Sequence, residues 1–379
     1  MNHILITGAT GALGSELIPR FLRDPATRVS VLLRADSLEM LAGRREKLLG
    51  YLRLDSLEAG ERIDAVQGDT SQPNLGLEPE QARRLSGCLT HIVHAAGNVK
   101  LNQPLIEARR TAVESARHIV DFTHRCCASG AFRKLEFIST VGVAGRRSGV
   151  ISEARFAEPR QPTDFHNTYE AAKWEAEQFL WGEIDDGLPA TVHRPSMIVG
   201  DSRDGRIIHF QVFYFLTEFL IGRKTWGIVP KTAGAVLDII PVDYVADAIC
   251  LASNQQLGLG EVWHLCTGKD GSWSLDRLVA RIRDLLQVRG ERLPSLKRLS
   301  RGNFRMVLRG LTACSSERSK RFLRGLPFLL DYLDSQQQFD NSRTNQSLAA
   351  HGLTVPTVDS YLPTIMEAFW QRPKNKKGS

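Results

Sequence analysis

Cysteine is scarce in this chain: there are six among 379 residues, and none are spaced as a C-x-x-C pair. Cys126 and Cys127 are adjacent, which is poor geometry for a metal site or an ordinary disulfide. A disulfide-stapled secreted scaffold and a zinc module are therefore excluded, and no bound metal is expected. Uninterrupted apolar runs of about 18 residues, the length a spanning helix needs, are also missing. The nearest, Ile207 to Ile221, is broken by His209, Gln211, Thr217 and Glu218; it reads as a buried or pocket-lining helix. Internal repeats and extended low-complexity tracts are absent. With the first strand expected from His3, no room remains for a secretory leader, so a cytoplasmic protein with a reduced interior is expected.

What is present is the composition of a globular protein, 42% hydrophobic and 24% charged. The length suits one large domain with a smaller lobe. The chain opens on His3-Ile-Leu-Ile-Thr7, runs into glycines at Gly8, Gly11 and Gly14, and continues with Ser15-Glu-Leu-Ile18. That is a strand, a tight turn and a helix. The glycine spacing alone also fits a plain turn. Its place on the first strand of an α/β alternation points instead to backbone amides at a helix N-terminus facing a dinucleotide pyrophosphate.

Further strands are expected at Arg28–Leu33, Ile63–Gln67, Thr90–His94, Leu135–Ile138, Ala190–His193 and Val262–Cys266, with helical stretches between them. This predicts an α/β fold with a doubly wound parallel sheet and a smaller, mainly helical C-terminal substrate lobe. The cofactor-binding domain is expected at 1–200, with 236–270 returning to it. The lobe is expected at 201–235 and 271–379, with helices and no sheet from Leu275 onward.

The second strand ends at Arg34 where an acid would bind a free ribose, and an arginine suits a 2′-phosphate, hence NADPH. Arg44 is a second phosphate candidate or a plain helix-surface arginine. Asp69 could take the adenine amino group or serve as a turn residue. Small residues Ala95, Ala96 and Gly97 after the fourth strand would let backbone lie close to the cofactor. Ser139 and Thr140 put hydroxyls at the carboxyl end of the fifth strand. Tyr169 and Lys173 follow on one helix face, four residues apart. A lysine ammonium near a phenol is expected to lower its pKa toward neutrality.

Taken together, Thr7-Gly-Ala-Thr-Gly-Ala-Leu-Gly14, Leu32-Leu-Arg-Ala35, Gly68-Asp69, Val93-His-Ala-Ala96, Phe137-Ile-Ser-Thr140, Tyr169-x-x-x-Lys173, Arg194-Pro195 and Leu237-Asp-Ile-Ile-Pro-Val-Asp-Tyr-Val245 carry a resemblance. The chain resembles the extended short-chain dehydrogenase/reductases, and within them the thioester-reductase and fatty acyl-CoA reductase branch with a male-sterility type NAD-binding domain. The resemblance implies a Rossmann sheet and NADPH-dependent reduction of an acyl thioester, carried by coenzyme A or an acyl carrier protein, to an aldehyde or alcohol. It implies Thr140 as hydroxyl partner, Tyr169 as proton donor and Lys173 as ribose-binding lysine. It adds Thr10, Ala12, Leu13, Thr70, Pro195 and Ile198 to the cofactor contacts. One departure is that the segment where the family often has Asn-Val-x-Gly-Thr reads Thr111-Ala-Val-Glu-Ser115, so an asparagine of the proton relay is missing. The other readings are a sterol-like or sugar-nucleotide dehydrogenase and a cofactor-binding protein without turnover.

Charge is uneven. Between Arg289 and Arg324 eleven basic residues face only Glu291 and Glu317, more excess than the chain's net +7. A solvated helix face is the plain reading. The interleaved Phe304, Met306, Leu308, Leu311 and Phe322 do not suit a nucleic-acid tail, and no nucleic-acid module accompanies them. Coenzyme A phosphates, an acidic carrier protein or an anionic membrane surface remain as partners.

Overall fold

The computed structural model describes residues 2–307 and 336–372, except Asp55, Asn102, Ala157, Lys224, Ala233, Arg301 and Arg305. Seven strands form one parallel sheet: β1 (His3–Thr7), β2 (Arg28–Leu33), β3 (Ile63–Gln67), β4 (His91–His94), β5 (Lys134–Ile138), β6 (Ala190–Pro195) and β7 (Val262–Leu265). Their order is β7-β6-β5-β4-β1-β2-β3. The chain winds outward from β1 through β3, then returns to place β4 on the other side of β1. That reversal opens a crevice at the carboxyl ends of β1 and β4, the usual ligand position in such sheets.

Parallel strands covered on both faces must be apolar throughout, which is why Ile4, Leu5 and Ile6 are all fully buried. One face is covered by α1 (Ala12–Phe21) and by α6 (Val242–Asn254), meeting through Leu17, Ile18, Val245 and Ile249. The other is covered by α3 (Ser115–Cys127) and α4 (Thr168–Asp185), through Ile119, Phe122, Ala176 and Leu180. Beyond β2, α2 (Leu38–Tyr51) starts on a Ser37 cap whose side chain accepts from the Met40 amide.

A separate apolar core joins α5 (Val212–Leu220), α7 (Leu275–Val288) and α9 (Val358–Gln371), through Phe213, Phe219, Ile282, Tyr361 and Phe369. Two expectations fail here. Strand does occur after Leu275: Lys297–Leu299 pairs in parallel with Ile228–Pro230, and Gln338–Phe339 with Val150–Ile151. These short segments find partners far away in the chain, so no local alternation announces them. In addition α8 (Ser342–Ala349) sends Leu348 into the sheet core, with Leu353 and Val355 packed beside it, rather than into the lobe.

Of the basic stretch, Arg301, Arg305 and 308–324 lie outside the described residues. Within the described part Arg298 pairs with Asp276 at 2.6 Å, and Arg289 with Glu367. No helix among the described residues is long and apolar enough to cross a membrane. Cys88, Cys126, Cys127, Cys250 and Cys266 are free thiols.

Three buried histidines are held neutral. Burial disfavours the charged ring and pushes His91 down to about 4, and His94 and His264 to about 3, from 6.5. Between those values the unfolded chain binds more protons than the folded one, so stability is full above pH 6.5 and falls as pH drops toward about 4. Urea midpoints measured across that window should decline steadily with acid. A flat midpoint would mean that the histidines are not buried in this way.

Candidate active site

The turn after β1 leaves no room for side chains. Gly8 sits at φ +71°, and a Cβ there would lie 2.6 Å from the Ala95 carbonyl oxygen. A Cβ on Gly14 would lie 2.2 Å from the Gly8 carbonyl oxygen. These close approaches lock β1, the β4 end and α1 together. Gly11 donates its amide to Gly8 O at 2.8 Å and caps α1 without a side-chain acceptor. The first-turn amides of α1 are thus left for an anion, and the glycine cradle fits the pyrophosphate of a dinucleotide.

His94 braces the same corner. Its Nδ1 lies 2.9 Å from Thr7 Oγ1, which accepts the Ala96 amide at 3.2 Å. Its Nε2 lies 3.4 Å from Ser115 Oγ, on the helix whose expected asparagine is missing. A π turn over Arg110–Glu114 leads into that helix.

A cavity of about 620 Å³ opens beside the turn. It brings together Gly11, Ala12, Leu13, Gly14, Ala95, Ala96, Gly97, Thr140, Tyr169, Lys173, Pro195 and Ile198. The other residues expected at the cofactor do not wall it. Gly8 supports the turn from behind and Thr10 is exposed on it. Asp69 holds its own turn, its Oδ1 accepting the Ser71 amide at 2.9 Å, and the Thr70 carbonyl lies 3.1 Å from His118 Nδ1. Arg34 and Arg44 are exposed at the end of β2 and on α2, without a hydrogen bond or ion pair among the described residues. Arg45 is used otherwise, donating to Gly60 O at 3.0 Å and Ile63 O at 3.2 Å.

Two neighbouring hydroxyls end β5, and tertiary contacts separate them. Ser139 donates to Glu177, which is fully buried against Arg194 at 2.6 Å. Thr140 Oγ1 accepts the Gly142 amide at 3.1 Å, which leaves its proton uncommitted at the cavity wall. Asn167 caps α4 by accepting the Glu170 amide at 3.0 Å, and Glu170 accepts the His166 amide at 2.9 Å. That fixes the first turn of α4, and with it Tyr169. Lys173 Nζ donates to Ile138 O at 2.9 Å beneath the cavity.

The electrostatics depart from expectation. Burial pushes the Tyr169 phenol well above its ordinary value, with Glu170 adding to the rise; the Lys173 ammonium does not bring it down. Burial also lowers Lys173 to about 8, against the favourable charge of Glu177. At neutral pH the site therefore holds a protonated phenol and an ammonium that gives up its proton readily.

The apolar run at 207–221 splits in two. His209, Phe210, Gln211, Val212 and Phe215 line the cavity, whereas Phe213, Leu216 and Phe219 pack in the lobe core. Lining residues that the sequence did not single out for the site include Ser196, Asp238, Gln337 and Phe339. Ser196 follows Pro195 directly, but no spacing pattern singles it out. Gln337 and Phe339 arrive through the strand pairing with Val150–Ile151.

The family described as male sterility protein, an NAD-binding domain, matches residues 6–249. A non-reducing polyketide synthase of Stachybotrys chartarum is 31% identical over 304 residues, 76% of this chain and 11% of that protein. An aldehyde reductase of Aspergillus flavus is 25% identical over 383 residues, 95% of this chain and 35% of that one. The chain thus spans between about a tenth and a third of the length of these relatives. Among solved structures, the terminal R domain from the myxalamid PKS-NRPS biosynthetic pathway superimposes with a TM-score of 0.81 at 27% identity, covering 100% of this chain and 93% of that one. A fold, a glycine cradle and a family match over residues 6–249 agree: the chain belongs to the male sterility protein family, in the thioester-reductase branch of the extended short-chain dehydrogenase/reductases.

Proposed function

We propose that the protein is an NADPH-dependent reductase of an acyl thioester. The observation that carries this reading is one cavity walled by Thr140, Tyr169 and Lys173 on one side, the uncapped start of α1 on another, and apolar Phe210, Val212, Phe215 and Leu237 on a third. When bound, the nicotinamide cofactor supplies the hydride.

Tyr169 and Thr140 donate hydrogen bonds to the thioester carbonyl oxygen as it gains negative charge, and Tyr169 then passes it a proton. The hemithioacetal hydroxyl gives its proton to the departing sulfur as the carbon–sulfur bond breaks, which releases the thiol and leaves an aldehyde. The product is that aldehyde or, after a second hydride transfer, the alcohol. Lys173, anchored on Ile138 O, holds the ribose side of the cofactor. Arg34, free at the end of β2, takes the 2′-phosphate, with Arg44 as a second contact. Asp69 and Thr70 border the adenosine end, and Gly8 and Thr10 complete the turn.

We read 1–200 with 236–270 as the cofactor domain and 201–235 with 271–379 as the substrate lobe, from which Leu348, Leu353 and Val355 reach back to the sheet core. The thiol carrier is coenzyme A or a carrier protein, and the excess positive charge of 289–324 favours an acidic one. Relatives support the reading by their names: a synthase whose terminal R domain has this fold, and an aldehyde reductase. NADPH consumption against a panel of acyl-CoA and acyl-carrier thioesters, with products identified by mass spectrometry, tests it. Absence of turnover with every thioester would remove the assignment.

A further inference from the structure

The mechanism above leaves two buried polar side chains of the cavity without a task. Ser196 and Asp238 both line it, and each keeps only 7% of its surface exposed. They are neighbours by construction. Met197–Val199 pairs in parallel with Ile239–Pro241, with Met197 opposite Ile239, so Ser196 falls opposite Asp238 at the start of the ladder. The Met197 amide donates to Asp238 O at 3.2 Å and closes that end.

The Asp238 carboxylate is partly satisfied. Its Oδ1 accepts the Thr267 amide at 2.9 Å and its Oδ2 the Gly268 amide at 3.1 Å. Each oxygen keeps a lone pair. The Ser196 hydroxyl lies beside this carboxyl, as does that of Thr267. The contact is incomplete. Ser196 Oγ is near enough to offset part of the rise that burial imposes on the Asp238 carboxyl. Yet, like Thr267 Oγ1, it is buried and reaches no full hydrogen-bond geometry with any described residue. A carboxylate serving only to staple the loop after β7 would need neither a cavity position nor an unmatched hydroxyl next to it. Leaving a buried hydroxyl unmatched costs free energy, which a ligand group that hydrogen-bonds there recovers.

We propose that Ser196 and Asp238 form a recognition point for a hydroxyl on the acyl group, so that the preferred substrates are hydroxyacyl thioesters rather than plain alkanoyl ones. The substrate hydroxyl donates to the carboxylate and accepts from Ser196. The inference rests on the thioester-reductase reading. Discrimination comes from the unsubstituted chain, which leaves both groups desolvated and unpaired.

The test uses the full chain with saturating NADPH. It compares kcat/KM for hexanoyl-CoA with hexanoyl-CoAs bearing one hydroxyl at successive chain positions. At one position the hydroxylated thioester should be favoured by about tenfold or more. Ser196→Ala should bring that ratio close to one. Because Asp238 also holds two backbone amides, Asp238→Asn puts the loop at risk, so Ser196→Ala, which removes a single atom, carries the test; NADPH affinity is titrated in the same variant. Equal kcat/KM for all positions overturns the inference and leaves the reductase reading standing. A preference that persists in Ser196→Ala also overturns it. So does a loss of NADPH affinity with the ratio intact, since Ser196 then serves the cofactor. If none of these thioesters, nor the same acyl groups loaded on a carrier protein, is reduced, the proposed function fails first and this inference fails with it.

Discussion

Tyr169→Phe is expected to slow the single-turnover reduction of an acyl thioester by about a hundredfold or more, with NADPH affinity nearly unchanged. The substitution keeps the ring in the cavity wall and removes only the hydroxyl. Burial holds that phenol well above its ordinary pKa, so it stays protonated through neutral pH and acts as a donor. Its neighbour sets a second limit. Lys173 sits at about 8, lowered by burial, so its ammonium is intact near neutrality and lost as pH rises through that value. Turnover should hold on the acid side of about 8 and fall on the alkaline side, together with cofactor affinity. Stopped-flow measurement of NADPH oxidation across that range reads both effects. Near-full turnover in Tyr169→Phe would remove the tyrosine from the proton-donor role, whatever the pH profile shows.

Arg34→Ala should erase most of a preference for NADPH over NADH, a change of about ten- to hundredfold in relative affinity. The reasoning is electrostatic and local. Arg34 projects from the carboxyl end of β2, exposed and without an intramolecular partner among the described residues, so no internal contact competes for its guanidinium. A charge-assisted contact to a phosphate is worth about 1.5–3 kcal/mol, and the part that solvent screens falls further with added salt. Arg44→Ala should give a smaller change of the same sign. Arg45→Ala should instead loosen the α2–β3 corner, because that side chain holds the carbonyls of Gly60 and Ile63. Fluorescence titration of both cofactors decides the matter: equal affinities in the unaltered protein would sink the NADPH assignment.

Much of the cavity wall was readable in advance because its signals are short-range. The glycines at 8 and 14 stand where backbone atoms approach within a side chain's reach, and a strand followed by such a turn has few other uses. Tyr169 and Lys173 share a face through helical spacing alone, and Asn167 marks where that helix begins. Buried parallel strands show as apolar runs wherever the chain is met.

Other features escaped because their cause lies elsewhere in the chain. Ser139 and Thr140 look alike in sequence. Glu177, held by Arg194, takes the first hydroxyl and leaves the second for the cavity. The apolar run after Ile207 could not reveal which of its residues face the cavity and which face the lobe core, since that depends on how α5 packs on α9.

By itself, then, the sequence determined the α/β alternation, the glycine turn and the Tyr169–Lys173 face, since each is written in spacings of a few residues. Tertiary structure alone decided three things. It set the direction in which burial moves Tyr169, the arrival of Gln337 and Phe339 at the cavity from almost two hundred residues away, and the meeting of Ser196 with Asp238. Desolvation and pairing between distant strands depend on which surfaces come together in the fold, and no local pattern encodes the partner.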